Sequence, residues 1–132
     1  MSSCQKVRPG ATTYAGRQGF DYAEGISRES VGAQPLCMHC LAIPPGGRAK
    51  AHKNAMHETA IYVLSGRAIM AWGERLEHRM EIAAGEMVRT PADVPHLPWN
   101  PEAEPVTAVV ARTDPHEQES GVLLPALDVP VG

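Results

Sequence analysis

The sequence lacks a basic surplus, a long apolar run and a helical period, and each absence removes a class of protein. Twelve Lys and Arg stand against fifteen Asp and Glu, a formal charge of −3. A nucleic-acid footprint shows as an excess of Lys and Arg, so no nucleic-acid partner is expected. No apolar run approaches the ~20 residues of a membrane span. The start Met1-Ser2-Ser3-Cys4-Gln5-Lys6-Val7-Arg8 carries no apolar core of a secretory signal, and a cytoplasmic protein is the expectation. Three cysteines, an odd number, make no disulfide framework. Twelve prolines recur too often for a helix bundle. G-x-S-x-G, P-loop and dinucleotide fingerprints are missing too.

What is present is a β pattern. At 132 residues the chain makes one domain, long enough to fold without a disulfide or a metal. Residues 1–35 are rich in Gly, Ser and charge and read as an irregular arm, with one short strand around Tyr14. From Leu36 onward short apolar runs alternate with turn residues at intervals near ten. The candidate strands are residues 36–43, 48–53, 59–64, 67–72, 76–83, 87–90, 96–99, 106–112 and 121–124. Pro44-Pro45-Gly46-Gly47, Ser65-Gly66, Gly73-Glu74-Arg75, Ala84-Gly85-Glu86 and Pro91-Ala92-Asp93 separate them, because proline cannot donate to a ladder and glycine supplies positive φ. Many short antiparallel strands protect their edges best in a barrel or jelly roll. The expected layout is an all-β barrel over residues 36–125 with a C-terminal tail over 126–132.

Two histidine segments carry the chemistry. The first runs from Gly46 to Gly66 and holds His52, Asn54, His57 and Glu58; the second runs from Gly85 to Asn100 and holds His96. Side chains alternate along a strand, so His52 and Asn54 share a face. After a turn near Ala55-Met56, the same parity sets His57 and Thr59 beside the interior residues Ile61 and Val63, with Glu58 pointing away. His96, behind Pro91 and Pro95, is aimed at the barrel mouth. Inward imidazoles from separate strands can hold one metal through neutral nitrogen, with a coordination position left open.

These segments resemble the two motifs of the cupin family. In the first motif Gly46, His52 and Gly66 fit. In the second, Gly85, Pro91, His96 and Asn100 fit, with Asp93 in place of the third glycine. The eighteen residues 67–84 match the short inter-motif segment of small microbial members. The resemblance implies a double-stranded β-helix barrel holding one divalent metal (Fe, Mn, Ni or Zn) and acting on a small organic molecule. It departs at two ligand positions: Asn54 stands for the second histidine and Thr59 for the glutamate. His57 is therefore the expected third ligand beside His52 and His96, with Asn54 a weaker fourth through its amide oxygen. A dioxygenase-type enzyme is the first functional expectation. A ligand-binding or sensor cupin with a degenerate metal site is the second, and a metal-independent isomerase with His57 or Glu58 as general base is the third. A homodimer is expected, its N-terminal arm extending the partner's sheet.

Other residues invite competing readings. Cys37 and Cys40 face opposite sides of an extended strand, so the C-x-x-C spacing reads as structural rather than redox or zinc-binding. His39 shares a face with Cys37, Leu41 and Ile43 and is a pocket residue or a satisfied core histidine. Arg89 is either an outer-face residue at a subunit contact or a pocket cation. Trp99 points away from His96 and reads as core or interface. His78, in Glu77-His78-Arg79, reads as exposed. Arg48, Lys50 and Lys53 read as a solvated strand face, and residues 114–120 as a polar loop or a lid.

Overall fold

A computed structural model describes residues 3–9, 13–15, 19–116 and 121–128. Among these residues, eleven strands lie in two antiparallel sheets. In chain order they are β1 (Thr13–Ala15), β2 (Asp21–Ile26), β3 (Cys37–Ile43), β4 (His52–Asn54), β5 (Thr59–Ser65), β6 (Arg67–Trp72), β7 (His78–Ala83), β8 (Met87–Thr90), β9 (His96–Trp99), β10 (Val106–Arg112) and β11 (Gly121–Leu123). One sheet has the order β1-β2-β3-β10-β5-β8, the other β11-β4-β9-β6-β7. A one-turn helix, α1 (Arg28–Val31), and a short 3-10 turn (Pro125–Leu127) complete the fold.

The alternation of side chains decides what lies between the sheets. Leu41 and Ile43 of β3, Val63 of β5, Val106 and Val110 of β10 and Val88 of β8 meet Ala68 of β6 and Ile82 of β7 in one buried cluster. The opposite face of the second sheet is covered by the chain's own C-terminal segment, where Leu124 and Leu127 pack over Ala51, Ala71 and Leu97. Trp99 packs in that outer cluster, on the far side from His96. Together these layers form the jelly-roll barrel that the turn spacing predicts.

The N-terminal region is more ordered than its composition suggests. The strand around Tyr14 exists as β1, but a second strand, β2, pairs with β3 of the same chain. β1 and β2 thereby form one end of their own chain's six-stranded sheet. Phe20 and Tyr22 from this region enter the core. Gly25 allows the close approach, since a Cβ there would collide with the Met38 carbonyl oxygen. Its N–H donates to Nδ1 of the buried His39 at 3.0 Å. His39 is thus a core residue that ties β2 to β3.

The second histidine segment is pinned at both ends. Asp93 adopts φ 63, the left-handed conformation that the family's glycine would take, and asparagine or aspartate tolerates it best after glycine. Its backbone N–H donates to the Asn54 carbonyl at 3.0 Å, so the turn before β9 is tied to the end of β4. Asn100 is fully buried, and its amide nitrogen reaches the carbonyls of Ile43, Pro44 and Glu104 while its oxygen accepts from Glu102 N–H. The two motifs are thereby locked in register.

Candidate metal and ligand site

Strands β4 and β9 run side by side with His52 directly opposite His96. Both rings are buried, with centroids 4.2 Å apart and planes at 62°. Each Nδ1 lies against the backbone carbonyl two residues earlier, His52 on Lys50 at 2.8 Å and His96 on Val94 at 2.9 Å. A carbonyl can only accept, so each Nδ1 carries the proton and each Nε2 keeps a lone pair. Histidine ligands of metals are typically oriented in this way by a partner on the other ring nitrogen. Burial pushes the His52 pKa down to about 3, helped by the neighbouring His96 and Arg112 and opposed by the Lys50 carbonyl. Burial also lowers His96 to about 4, with Arg112 adding to the effect and the Val94 carbonyl opposing it.

A small cavity of about 30 Å³ sits against these rings, bordered also by Asn54, Thr59, Arg112 and Tyr22. Thr59 is its hub: its hydroxyl oxygen accepts from the Asn54 amide at 3.2 Å and from Arg112 Nε at 3.2 Å. Arg112 in turn hydrogen-bonds the Tyr22 hydroxyl, whose pKa burial raises to about 12 against the opposing pull of that guanidinium. Among the described residues, Arg112 is the one formally charged side chain that lines the cavity. The volume suits a group the size of one or two waters, which includes a metal ion or a carboxylate head.

The remaining expected site residues lie elsewhere. His57 is not brought to His52 and His96. Ala55 and Met56 form a turn, with Met56 at φ 64, and β5 begins only at Thr59. Strand parity therefore does not extend back through His57, whose Nδ1 lies 3.2 Å from the Thr113 hydroxyl outside the cavity. Glu58 is on the outer surface, paired with Arg89 at 2.8 Å, and does not border the histidine cavity. The same contact places Arg89 on the outer face of β8. Cys37 is buried and Cys40 half-buried on opposite faces, and neither is in a disulfide. His78 is exposed and stacks on Trp72 at 4.3 Å. Of the loop 114–120, residues 117–120 lie outside the described residues, as do 129–132 of the tail.

Arg112 and Tyr22 were missed in the sequence. The signal for Arg112 was present: Val106, Ala108, Val110 and Arg112 alternate on one face of β10, and the first three are buried. Tyr22 had no such signal, because the arm that carries it has weak periodicity.

The donor set fits a metal in part. Two neutral imidazoles present Nε2, and Asn54, bound to Thr59 through its nitrogen, has its oxygen as the ligating end. Among the described residues no three His, Cys, Asp or Glu side chains come together. Such a centre holds metal less tightly than one with three imidazoles or a carboxylate.

The fold and site define a cupin barrel. Residues 40–112 match the cupin domain family, and the chain belongs to that family. Among solved structures, a Cupin 2 conserved barrel domain protein from Salinispora arenicola CNS-205 superposes with a TM-score of 0.69 at 19% identity, covering 85% of this chain and 91% of its own. The polyketide cyclase RemF from Streptomyces resistomycificus gives 0.71 at 17% identity and 89% of both chains. The oxalate decarboxylase of Lactobacillus farciminis, in its formate complex, gives 0.71 at 19% identity over 86% of this chain. This chain spans only 33% of that decarboxylase. At such identities the likeness shows the fold. Comparison with curated proteins gives no match. No helix among the described residues is long and apolar enough to cross a membrane.

The buried imidazoles make stability depend on pH. Burial is also the main cause holding His39 down at about 4, with Arg112 adding to it. In the unfolded chain all three histidines take up protons near pH 6.5, whereas in the folded metal-free protein they do so only near pH 3–4. The unfolded state therefore binds more protons across that window, and stability falls as pH drops through it. The urea midpoint should decline steadily from about pH 7 to pH 4.5, with a shallower decline in His96→Gln. A midpoint constant between pH 7 and pH 5 would contradict neutral burial of these rings.

Proposed function

We propose that the chain is a small-molecule cupin whose barrel interior binds an organic acid at Arg112, beside a divalent transition metal held by Nε2 of His52 and His96. The observation that carries this reading is the pair of opposed imidazoles, each fixed by a backbone carbonyl so that the lone pair is on Nε2. Asn54 supplies its amide oxygen as a third, weaker donor. When bound, a metal supplies Lewis acidity toward an oxygen of the ligand. The chain's own residues do the rest. Arg112 offers charge-assisted hydrogen bonds to a carboxylate, and Thr59 fixes its orientation through Nε. Tyr22 keeps its proton and remains a donor throughout the physiological range. Leu41, Ile61 and Val110 wall the cavity and exclude water.

Cupins named as decarboxylase and cyclase share this fold, so the fold does not choose the reaction. A dioxygenase-type reaction is the oxidative form of the reading, and oxygen uptake with the bound acid is its assay. The metal-independent isomerase is not retained, because neither His57 nor Glu58 faces the cavity. A second reading, a metal-free ligand-binding module, is favoured by Thr59 at the glutamate position and by its commitment to Asn54 and Arg112.

Metal titration separates the two. A metal that binds only the folded state stabilises it by about 2.7 kcal/mol at a hundredfold excess over Kd. Mn²⁺, Fe²⁺ or Zn²⁺ should raise the melting temperature of the parent and of His57→Ala, but not of His52→Ala or His96→Ala. Equal shifts in all four proteins, or none in the parent, would remove the metal and leave the binding module.

We also propose a second copy of the chain as partner, docked on the outer face of the β1-β2-β3-β10-β5-β8 sheet. The corresponding face of the other sheet is covered by the C-terminal segment, but this one leaves Leu64 52% and Met87 78% exposed. Cys40, Val109, Tyr62 and Met87 form a continuous cross-strand row on it. The Glu58–Arg89 pair at its edge offers both signs of charge, which suits a two-fold contact where each patch meets itself. Sedimentation should show a dimer that Tyr62→Glu converts to monomer. A monomeric parent at about 50 µM, weaker than the μM range of specific association, would refute the proposal.

A further inference from the structure

The anchoring cavity has a larger neighbour that none of the chemistry above uses. About 180 Å³ of space lies between the free edges of the two sheets, where β7 ends one sheet and β8 the other. Its walls are mostly apolar, with Met70 and Trp72 on β6, Met80 on β7, Val88 on β8 and Val94 before β9, while Arg89 and Thr90 of β8 also border it. Met70 and His96 line both this space and the inner cavity, so the two lie against the same two side chains. Trp72 is held flat by its stack on His78. The two methionines are unbranched and polarisable, side chains that adapt to an aromatic guest.

We infer that this annex takes the apolar body of the ligand, and that the ligand is a monocarboxylic acid bearing an aromatic or compact apolar group. The inference rests on the reading of Arg112 as the acid anchor and adds the rest of the molecule to it. Size sets the body: a cavity of roughly 150 Å³ lined by apolar side chains accommodates benzene, so this one takes a ring of that size with a short linker. Charge sets the rest. The inner cavity has Arg112 as its one charged wall residue, which matches one carboxylate. Arg89 also borders the annex, and its Nε is paired with Glu58 at 2.8 Å on the outer face. A second carboxylate on the body would meet methionine, valine and tryptophan with only this already paired guanidinium at the rim, at a desolvation cost. Diacids are disfavoured on that ground, and so are acids too small to reach the annex.

The test is calorimetric titration of the full chain with acetate, phenylacetate, phenylacetamide and phenylmalonate, with Mn²⁺ and separately with EDTA. Phenylacetate should bind at least tenfold more tightly than acetate, and the amide and the diacid at least tenfold more weakly than phenylacetate. Met80→Trp, which fills the annex from a half-exposed edge position, should bring the phenylacetate-to-acetate ratio close to one. Should that variant not fold, Val94→Phe fills the same space from the turn. A ratio near one in the parent, or a ratio unchanged by a folded filling variant, overturns the annex while Arg112 stands as the anchor. Amide binding equal to phenylacetate, or binding of either acid unchanged by Arg112→Gln, overturns the anchor itself. No binding of any acid overturns both.

Discussion

The interior of this barrel depends on one constraint: β4 and β9 pair antiparallel, with His52 opposite His96. A strand shows alternate faces, so a slip of one residue on either side would send an imidazole to the far side of the sheet. The register is fixed from several directions. Asn100 binds carbonyls at the end of β3 and beyond β9, and the turn at Asp93 is hydrogen-bonded to the end of β4. Each ring is then oriented by a carbonyl two residues before it, so a local backbone geometry repeated in both motifs presents both lone pairs.

Around that pair the barrel buries several polar side chains, among them Asn54, Thr59 and Thr90. Thr59 accepts from Asn54 and Arg112, and Arg112 reaches Tyr22, so residues from four strands of the two sheets share one network. Buried polar groups are costly when unpaired and specifying when satisfied. Relative to a centre with a glutamate ligand, Thr59 removes a negative charge, and Arg112 lines the same cavity with a positive one. The interior is therefore suited to a guest that carries negative charge in with it. In the proposed reading, the apolar space beside His96 distinguishes among such guests by the body attached to the anion.

Much of this was legible in the sequence, and the reasons it was legible are local. Turn residues at ten-residue intervals gave the barrel, and parity along residues 59–63 placed Thr59, Ile61 and Val63 on one face. Asp93 could be read as a glycine substitute because aspartate tolerates positive φ, and the structure gives it φ 63. The unreadable parts needed information from outside each segment. Parity could not cross the turn at Ala55-Met56, which is why His57 seemed to belong with Thr59. Arg112 became meaningful only once β10 was known to lie next to β5, with Arg112 opposite Thr59. Tyr22 comes from a region whose strand forms because β3 offers it an edge, a tertiary cause that its own composition does not show.

The central claim is that His52 and His96 are neutral imidazoles with protonated Nδ1 and a lone pair on Nε2, sharing one cavity. Long-range ¹⁵N–¹H correlation spectra of the metal-free protein read this directly from the ring nitrogens. Both residues should show the Nδ1–H tautomer and remain neutral to below about pH 5, and both should shift together as Zn²⁺ is added. Signals of an Nε2–H tautomer, of imidazolium at pH 6, or of rings that respond to metal independently would contradict the account.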